Sequence, residues 1–194
     1  SGIEYMSPKN IFYRLELYSK SFDNLLTVKQ DNPNTIEEGS SDSTINEFWD
    51  TKGNSWGIEF LLKKSSGKLN GWLGYTYAEA NYFNEPSGWH HPNFDRTHTI
   101  NIVANYDLTS EIQTNFGLTM SSGNPYTKIM GRVYDWQQNL DSDTYWYPVD
   151  SYIIGEKNTE RYDDYFRIDI GMTRKKGNLF GVNYDTYWQI MNVT

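Results

Sequence analysis

The residues with the clearest chemical potential are aromatic side chains between positions 121 and 163. They include Trp136 and the run Tyr145-Trp146-Tyr147. Exposed aromatic rings stack on sugars and on planar chelators, and large exposed apolar groups generally mark a contact surface. These residues therefore predict a ligand-binding loop. They are equally consistent with a loop that packs on itself, or with a girdle of aromatic residues at a membrane interface.

Two adjacent histidines form a second candidate, in the segment Trp89-His90-His91-Pro92. Neighbouring side chains on an extended segment point apart, so His90 and His91 are poorly placed to chelate one ion. With Trp89 they are candidates for contact with an incoming ligand, or else ordinary loop residues. Asp163 and Asp164 could offer oxygen ligands to calcium, but two adjacent acids favour a solvated loop end. We therefore predict no metal site.

No catalytic constellation is visible in the sequence. There is no cysteine, no Ser-His-Asp arrangement that can be assembled, and no glycine loop of the kind that cradles phosphate. We therefore predict no catalytic residue, no cofactor and no enzymatic activity. The net charge of -8 argues against nucleic acid as a partner, because phosphate binding needs clustered Lys and Arg.

The elements that must position these residues show a strict alternation of apolar and polar residues. In the segment 111–120, Leu118 and Met120 share one face while Thr119 lies on the other. Such a period of two predicts a strand whose faces meet two different environments. Charged residues on the polar faces, such as Arg14 and Arg167, must face water because charge is costly at mid-depth in lipid.

Eight segments follow this pattern. The predicted strands are Gly2–Met6, Ile11–Phe22, Ser55–Lys64, Lys68–Asn81, Arg96–Tyr106, Glu111–Met120, Asp164–Arg174 and Leu179–Asn192. Short basic turns, among them Lys175-Lys176-Gly177, alternate with three long loops at about 23–54, 82–94 and 121–163. Short turns at one end and long loops at the other are typical of hairpins that stand across a membrane.

Composition agrees with a membrane barrel better than with a soluble sandwich. Only 37% of the residues are hydrophobic, yet 16% are aromatic, as expected for a narrow apolar band between aromatic girdles. The longest apolar run, Phe60-Leu61-Leu62, is far short of the roughly 20 residues of a spanning helix. We predict an all-β, antiparallel up-and-down transmembrane β-barrel segment with short periplasmic turns and long extracellular loops. The alternative is a soluble antiparallel sheet.

Several motifs together resemble the C-terminal barrel of TonB-dependent outer-membrane receptors. They are Gly71-Trp-Leu-Gly-Tyr-Thr-Tyr77, Phe94-Asp-Arg-Thr-His98, Ser122-Gly-Asn-Pro-Tyr-Thr127, Tyr162-Asp-Asp-Tyr-Phe-Arg-Ile-Asp169 and Trp188-Gln-Ile-Met-Asn-Val193. The resemblance covers nearly the whole chain, in the family's order. It implies a 22-stranded, plugged barrel that imports an iron chelate, cobalamin or an oligosaccharide with energy passed through TonB.

The resemblance also implies that residues 1–194 are a fragment, since the plug domain and a final strand ending in an aromatic residue are missing. Expected partners are membrane lipid, the imported small molecule or glycan, and TonB and the plug in the full-length protein. The fragment could self-associate through strand edges. The expected location is the outer membrane of a Gram-negative bacterium. The alternative functions are a complete eight-stranded outer-membrane protein in adhesion or structure, and a soluble binding module.

Overall fold

The structure is a computed structural model that describes residues 1–28, 48–139 and 145–193. Its strands are β1 (Gly2–Met6), β2 (Ile11–Val28), β3 (Phe48–Lys64), β4 (Leu69–Asn84), β5 (Gly88–His90), β6 (His98–Asp107), β7 (Ile112–Ser121), β8 (Pro125–Tyr126), β9 (Ile129–Asn139), β10 (Tyr145–Ile154), β11 (Glu160–Arg161), β12 (Tyr165–Leu179) and β13 (Val182–Ile190). Within these residues no helix is long and apolar enough to cross a membrane.

Eight of these strands form one antiparallel sheet in the order β1-β2-β3-β4-β6-β7-β12-β13, and β5 pairs with the end of β4. This confirms the prediction of an all-β, antiparallel sheet of about eight strands. In the described part of the chain the sheet is open, with β1 at one edge and β13 at the other. Closure into a barrel therefore stays a prediction.

The strand register sorts residues into two contrasting faces. One row of directly opposed residues reads Leu15, Phe60, Tyr75, Ile100, Met120 and Phe166. The row beside it on the other face reads Arg14, Leu61, Gly74, Asn101, Thr119 and Arg167. Opposed residues share a face and interact. We call the side of the first row the apolar face and the side of the second row the polar face.

Nothing in the described part of the chain covers the apolar face. No hydrophobic side chain among the described residues is buried, and Ile3, Leu17 and Ile190 are 73%, 50% and 66% exposed. A water-soluble sheet normally packs one face on a core. The described sheet therefore lacks a second layer that would bury its apolar face away from water.

The structure corrects three sequence-based boundaries. β2 and β3 extend well into the predicted first loop, whose residues 29–47 lie outside the described part of the chain. The predicted turn Lys175-Lys176-Gly177 is wrong, because β12 runs on to Leu179 through an irregularity in its pairing with β13. The true turn is Phe180-Gly181, where φ values of 52° and 83° match the left-handed positions of a two-residue hairpin turn.

The third correction concerns the predicted loop 121–163. Much of it is regular, because β9 and β10 pair as a separate two-stranded hairpin and β8 pairs with β11 at its base. The chain thus leaves the sheet after β7, forms this hairpin, and rejoins the sheet at β12. The aromatic residues singled out in the sequence lie on a strand pair.

Candidate functional site

The β9–β10 hairpin gathers aromatic residues on one of its faces. Trp136 lies opposite Pro148, Tyr134 opposite Asp150, Arg132 opposite Tyr152 and Trp146 opposite Gln138. Residues two apart along a strand share a face, so these positions form one surface. We call it the aromatic hairpin face. Tyr145 and Tyr147 flank Trp146 in β10, opposite Asn139 and Gln137.

The described aromatic side chains of this face are strongly exposed. Tyr134 is 67% exposed, Trp136 and Trp146 are each 59% exposed, and Tyr152 is 40% exposed. Large apolar groups in such numbers mark a contact surface. Their rings offer stacking surfaces, which suit the flat faces of sugars or planar chelators.

The same face also carries an ion pair. Arg132 donates a hydrogen bond to the carboxylate of Asp150, and its guanidinium lies 5.6 Å from the centroid of the Tyr134 ring. The hydrogen bond to Asp150 raises the pKa of Arg132 above its usual value. Rings and charges thus alternate along the hairpin, which can contact a ligand that has both apolar faces and polar groups.

The second set of predicted ligand contacts lies elsewhere, at the end of β4. The ring of Trp89 packs on Phe83, with centroids 5.4 Å apart, and Trp89 is 61% exposed. His90 is only 7% exposed and its Nδ1 lies 3.0 Å from the carbonyl of Gly88. Burial lowers the pKa of His90 below its usual 6.5. Trp89 is thus accessible to a ligand, whereas His90 is a packed residue.

His91 takes part in a different network. Its Nδ1 lies 3.0 Å from the carbonyl oxygen of Ala80 and 3.6 Å from a carboxylate oxygen of Asp95. The described residues contain no group of three or more His, Asp or Glu that could hold a metal ion. The side chains of the two histidines thus lie against separate backbone carbonyls.

Sequence reasoning missed the network of buried polar groups that holds the long loops together. Its centre is Asp95, which is 3% exposed. Asp95 accepts hydrogen bonds from the backbone N–H of Ala80 at 2.8 Å and from Arg161 Nη2 at 2.5 Å. Arg161 Nη1 also donates to the carbonyls of Asp95 and Gly123, both at 3.1 Å. One guanidinium therefore ties β11 to the loops after β5 and β7.

Asn158 adds a second tie between the same loops. It is 4% exposed, and its Nδ2 donates at 2.6 Å both to the carbonyl of His91 and to Oδ1 of Asn93. Its backbone N–H donates to the hydroxyl of Thr127. We call Asp95, Asn158 and Arg161 together the loop latch. Buried polar groups that are fully hydrogen-bonded make such a network rigid.

The loop latch explains why three of the motifs quoted above contain small and polar residues. A side chain at Gly123 would place its Cβ 1.7 Å from the carbonyl oxygen of Tyr162, so only glycine allows this approach. The backbone N–H of Gly123 donates to Asp164, and the rings of Tyr126 and Tyr162 stack at 4.5 Å. Asp164, one of the two adjacent acids noted in the sequence, thus accepts a hydrogen bond from the loop backbone.

The structure thus contains two distinct surfaces with functional potential, the apolar face of the sheet and the aromatic hairpin face. The loop latch lies between them, at the loop end of the sheet. Comparison of the chain with family models, with curated proteins and with solved structures gives no match.

Proposed function

We propose that this chain forms an arc of the wall of an outer-membrane β-barrel, in a TonB-dependent receptor that imports a scarce ligand. The observation that carries the membrane part is the apolar face, which continues in register across the six strands from β2 to β12. A soluble protein rarely leaves an apolar surface of this extent exposed to water. Lipid hydrocarbon is the solvent that such a face requires.

The dimensions of the apolar face support this assignment. On β6 the face begins at His98 and ends at Tyr106, eight residue steps or about 26 Å along the strand. Tilting the strand by about 40° leaves roughly 20 Å across the bilayer. At the loop end the hydroxyl of Tyr75 lies 3.0 Å from His98 Nδ1, and the rings of Trp56 and Tyr77 lie 5.2 Å apart. Such amphipathic rings favour the headgroup level.

The polar face supports an aqueous or plugged interior. Its charged residues pair along single strands, Arg14 with Glu16 at 3.2 Å and Arg167 with Asp169 at 2.9 Å. These pairs lie on the side of the sheet opposite the lipid, where water or a plug domain can solvate them. Charge on only one face in the middle of the strands is the pattern of a barrel wall.

The receptor part of the proposal rests on the family resemblance and on what its motifs build. Segments 94–98, 122–127 and 162–169 are far apart in sequence, yet the loop latch brings them together at the loop end of the sheet. The aromatic hairpin face projects from the same end. A receptor that captures iron chelates, cobalamin or oligosaccharides would present such a surface to the medium, with TonB and the plug as partners.

Cysteine scanning tests the membrane part directly, because the native chain has no cysteine. Leu118→Cys and Thr119→Cys place a thiol on the apolar and polar faces of one strand. In protein reconstituted into vesicles, we expect a water-soluble maleimide to react with Thr119→Cys and spare Leu118→Cys. Spin labels at the two sites should show the opposite order of accessibility to oxygen, which partitions into lipid. The label at Leu118→Cys should be more accessible to oxygen than the label at Thr119→Cys. Equal labelling of both thiols would refute the membrane assignment.

An uptake assay tests the receptor part separately. Cells that lose the gene for this chain, or that lose TonB, should fail to take up one ligand from a panel of iron chelates, cobalamin and oligosaccharides. Unchanged uptake of every ligand, with the cysteine pattern intact, would leave a membrane barrel without import. That outcome would favour the alternative role in adhesion or structure.

A further inference from the structure

A groove of about 200 Å³ interrupts the apolar face near the short-turn end of the sheet. It lies where Gly71 and Ala104 face each other across β4 and β6. These two positions offer no side chain and one methyl group, so the neighbouring side chains of Leu69, Leu73 and Ile102 stand above them as walls.

The close approach of β4 and β6 beneath the groove leaves no room for a side chain at Gly71. Gly71 has a φ of +150°, and a Cβ at this position would lie 2.1 Å from the carbonyl oxygen of Val103. Any larger residue at Gly71 would therefore clash with β6. The volume exceeds the roughly 150 Å³ of an apolar cavity that accepts benzene. It is large enough for a segment of hydrocarbon chain.

A lysine closes the turn end of this groove. Lys64 lies opposite Gly71 and lines the groove, while its Nζ reaches to 3.7 Å from the Cβ position of Gly67 in the following turn. Lysine commonly buries its aliphatic stem and keeps its ammonium at the water boundary. Among the described residues, the six ion pairs do not include Lys64. Its charge is therefore available to a ligand.

We propose that this groove binds one acyl chain of an anionic phospholipid, with the lipid phosphate at Lys64. The inference deepens the proposed function, since it requires the apolar face to lie in a bilayer. An apolar channel that ends at a cation at the membrane boundary matches the two parts of such a lipid, hydrocarbon and phosphate. Lys68 in the same turn adds positive charge at this end, whereas the charge of Lys175 on β12 is offset by Asp107 at 3.9 Å.

Native mass spectrometry of the chain released from vesicles tests the site. The vesicles contain equal parts of phosphatidylglycerol and phosphatidylcholine. We expect the wild type to retain phosphatidylglycerol preferentially, and Lys64→Gln to reduce its retention about fivefold. Lys9→Gln is the matched control, because it removes the same charge from another short turn without touching the groove. Equal retention of the two lipids by the wild type, or equal loss in both variants, would refute the role of Lys64.

Filling the groove tests the hydrocarbon half of the site. Ala104→Leu should lower retention of both lipids about tenfold, as expected when about two methylene groups lose their contacts. Ile168→Phe adds volume to the same face on β12, outside the groove, and should leave retention unchanged. Lipid retention that survives Ala104→Leu would mean that the lipid binds outside the groove. A protein dimer that disappears with Ala104→Leu would mean that a second copy of the chain occupies the groove.

The inference and the proposed function can fail separately. If Leu118→Cys and Thr119→Cys show the alternating pattern while the wild type retains no phospholipid, the sheet lies in a membrane and the groove is not a lipid site. If the alternating pattern is missing, the membrane assignment fails and the lipid site fails with it.

Discussion

The eight-stranded sheet and the β9–β10 hairpin are both antiparallel, and both expose large side chains, but they distribute charge differently. The middle of the apolar face carries only uncharged residues, as in the row from Leu15 to Phe166. The aromatic hairpin face places Arg132 and Asp150 among its rings. Exposure alone therefore does not define a surface's environment. Under the proposed function, the position of charge distinguishes the two surfaces, with lipid against the sheet and water with a dissolved ligand against the hairpin.

The contrast has an energetic origin. A charge at the centre of a lipid-facing strand costs several kcal/mol, because hydrocarbon cannot solvate it. The same charge on a hairpin in water costs little, because water solvates the charge and weakens its ion pair. The apolar face must therefore exclude charge, whereas the hairpin can use charge for specificity.

The strongest test of the contrast places a charge on the apolar face. Leu118 lies in the central row with Leu73, Ile102 and Ile168, so Leu118→Arg should cost about 2–4 kcal/mol of folding free energy in a bilayer. Asn101→Arg, on the polar face of the neighbouring strand, should cost less than about 1 kcal/mol. Urea titration of vesicle-bound protein, followed by tryptophan fluorescence, measures both. Similar costs for the two variants would mean that the two faces meet the same solvent.

Breaking the loop latch should destabilise the loops while leaving the sheet stable. Asp95→Asn removes the charge that accepts from Arg161 and should destabilise the loops by about 2 kcal/mol. Hydrogen exchange should then accelerate in β8 and β11 and stay slow in β7. Asp163→Asn, an exposed carboxylate in the same loop region, is the control and should change stability by less than about 0.5 kcal/mol. Equal acceleration in β7 would mean that sheet and loops unfold as one unit.

The sheet could be predicted from sequence because its signal is local. Alternation such as that of Leu118 and Thr119 needs only neighbouring residues, and the register then aligns the strands. The end of β12 was missed for the same reason: two lysines and a glycine read locally as a turn, while Phe180 at positive φ is an unusual turn residue. Pairing with β13 outweighed these local preferences.

The candidate site was predictable only in part. Trp136 and Trp146 stand out in the sequence, but their common hairpin does not, because Arg132 and Asp150 on the same face disturb the apolar-polar period. The loop latch is beyond local reasoning altogether. Asp95 and Arg161 are 66 positions apart, and nothing in a single sequence indicates which buried acid meets which arginine.

Removing rings from the aromatic hairpin face tests its role in binding. Trp136→Ala and Trp146→Ala should each weaken ligand affinity about fivefold, the effect of about 1 kcal/mol of lost ring stacking. Stability should change little, because both rings are 59% exposed. Calorimetry with the ligand identified by uptake measures affinity. Trp89→Ala is the comparison, and a loss of affinity confined to it would move the site from the hairpin to the β4–β5 end.

The smallest expected effect is a pH dependence confined to the loops. Burial lowers the pKa of His90 below 6.5, so between the lowered value and 6.5 the unfolded state binds more protons than the folded state. The stability contributed by neutral His90 is therefore present above pH 6.5 and lost as the pH falls through this window. Lys157 and His91 act in the same direction by charge repulsion.

Hydrogen exchange measured against pH, and corrected for the intrinsic exchange rate, can detect this change. Amides of Gly88–His90 should open more often as the pH falls below 6.5, while those of β7 in the sheet should not respond. His90→Gln should abolish the dependence, and His91→Gln should leave most of it. A response that is equal in β7, or that survives His90→Gln, would show that another group sets the pH sensitivity. A response limited to the loops would extend the contrast to protonation, because the loops bury an ionisable histidine and the middle of the apolar face carries no charged side chain.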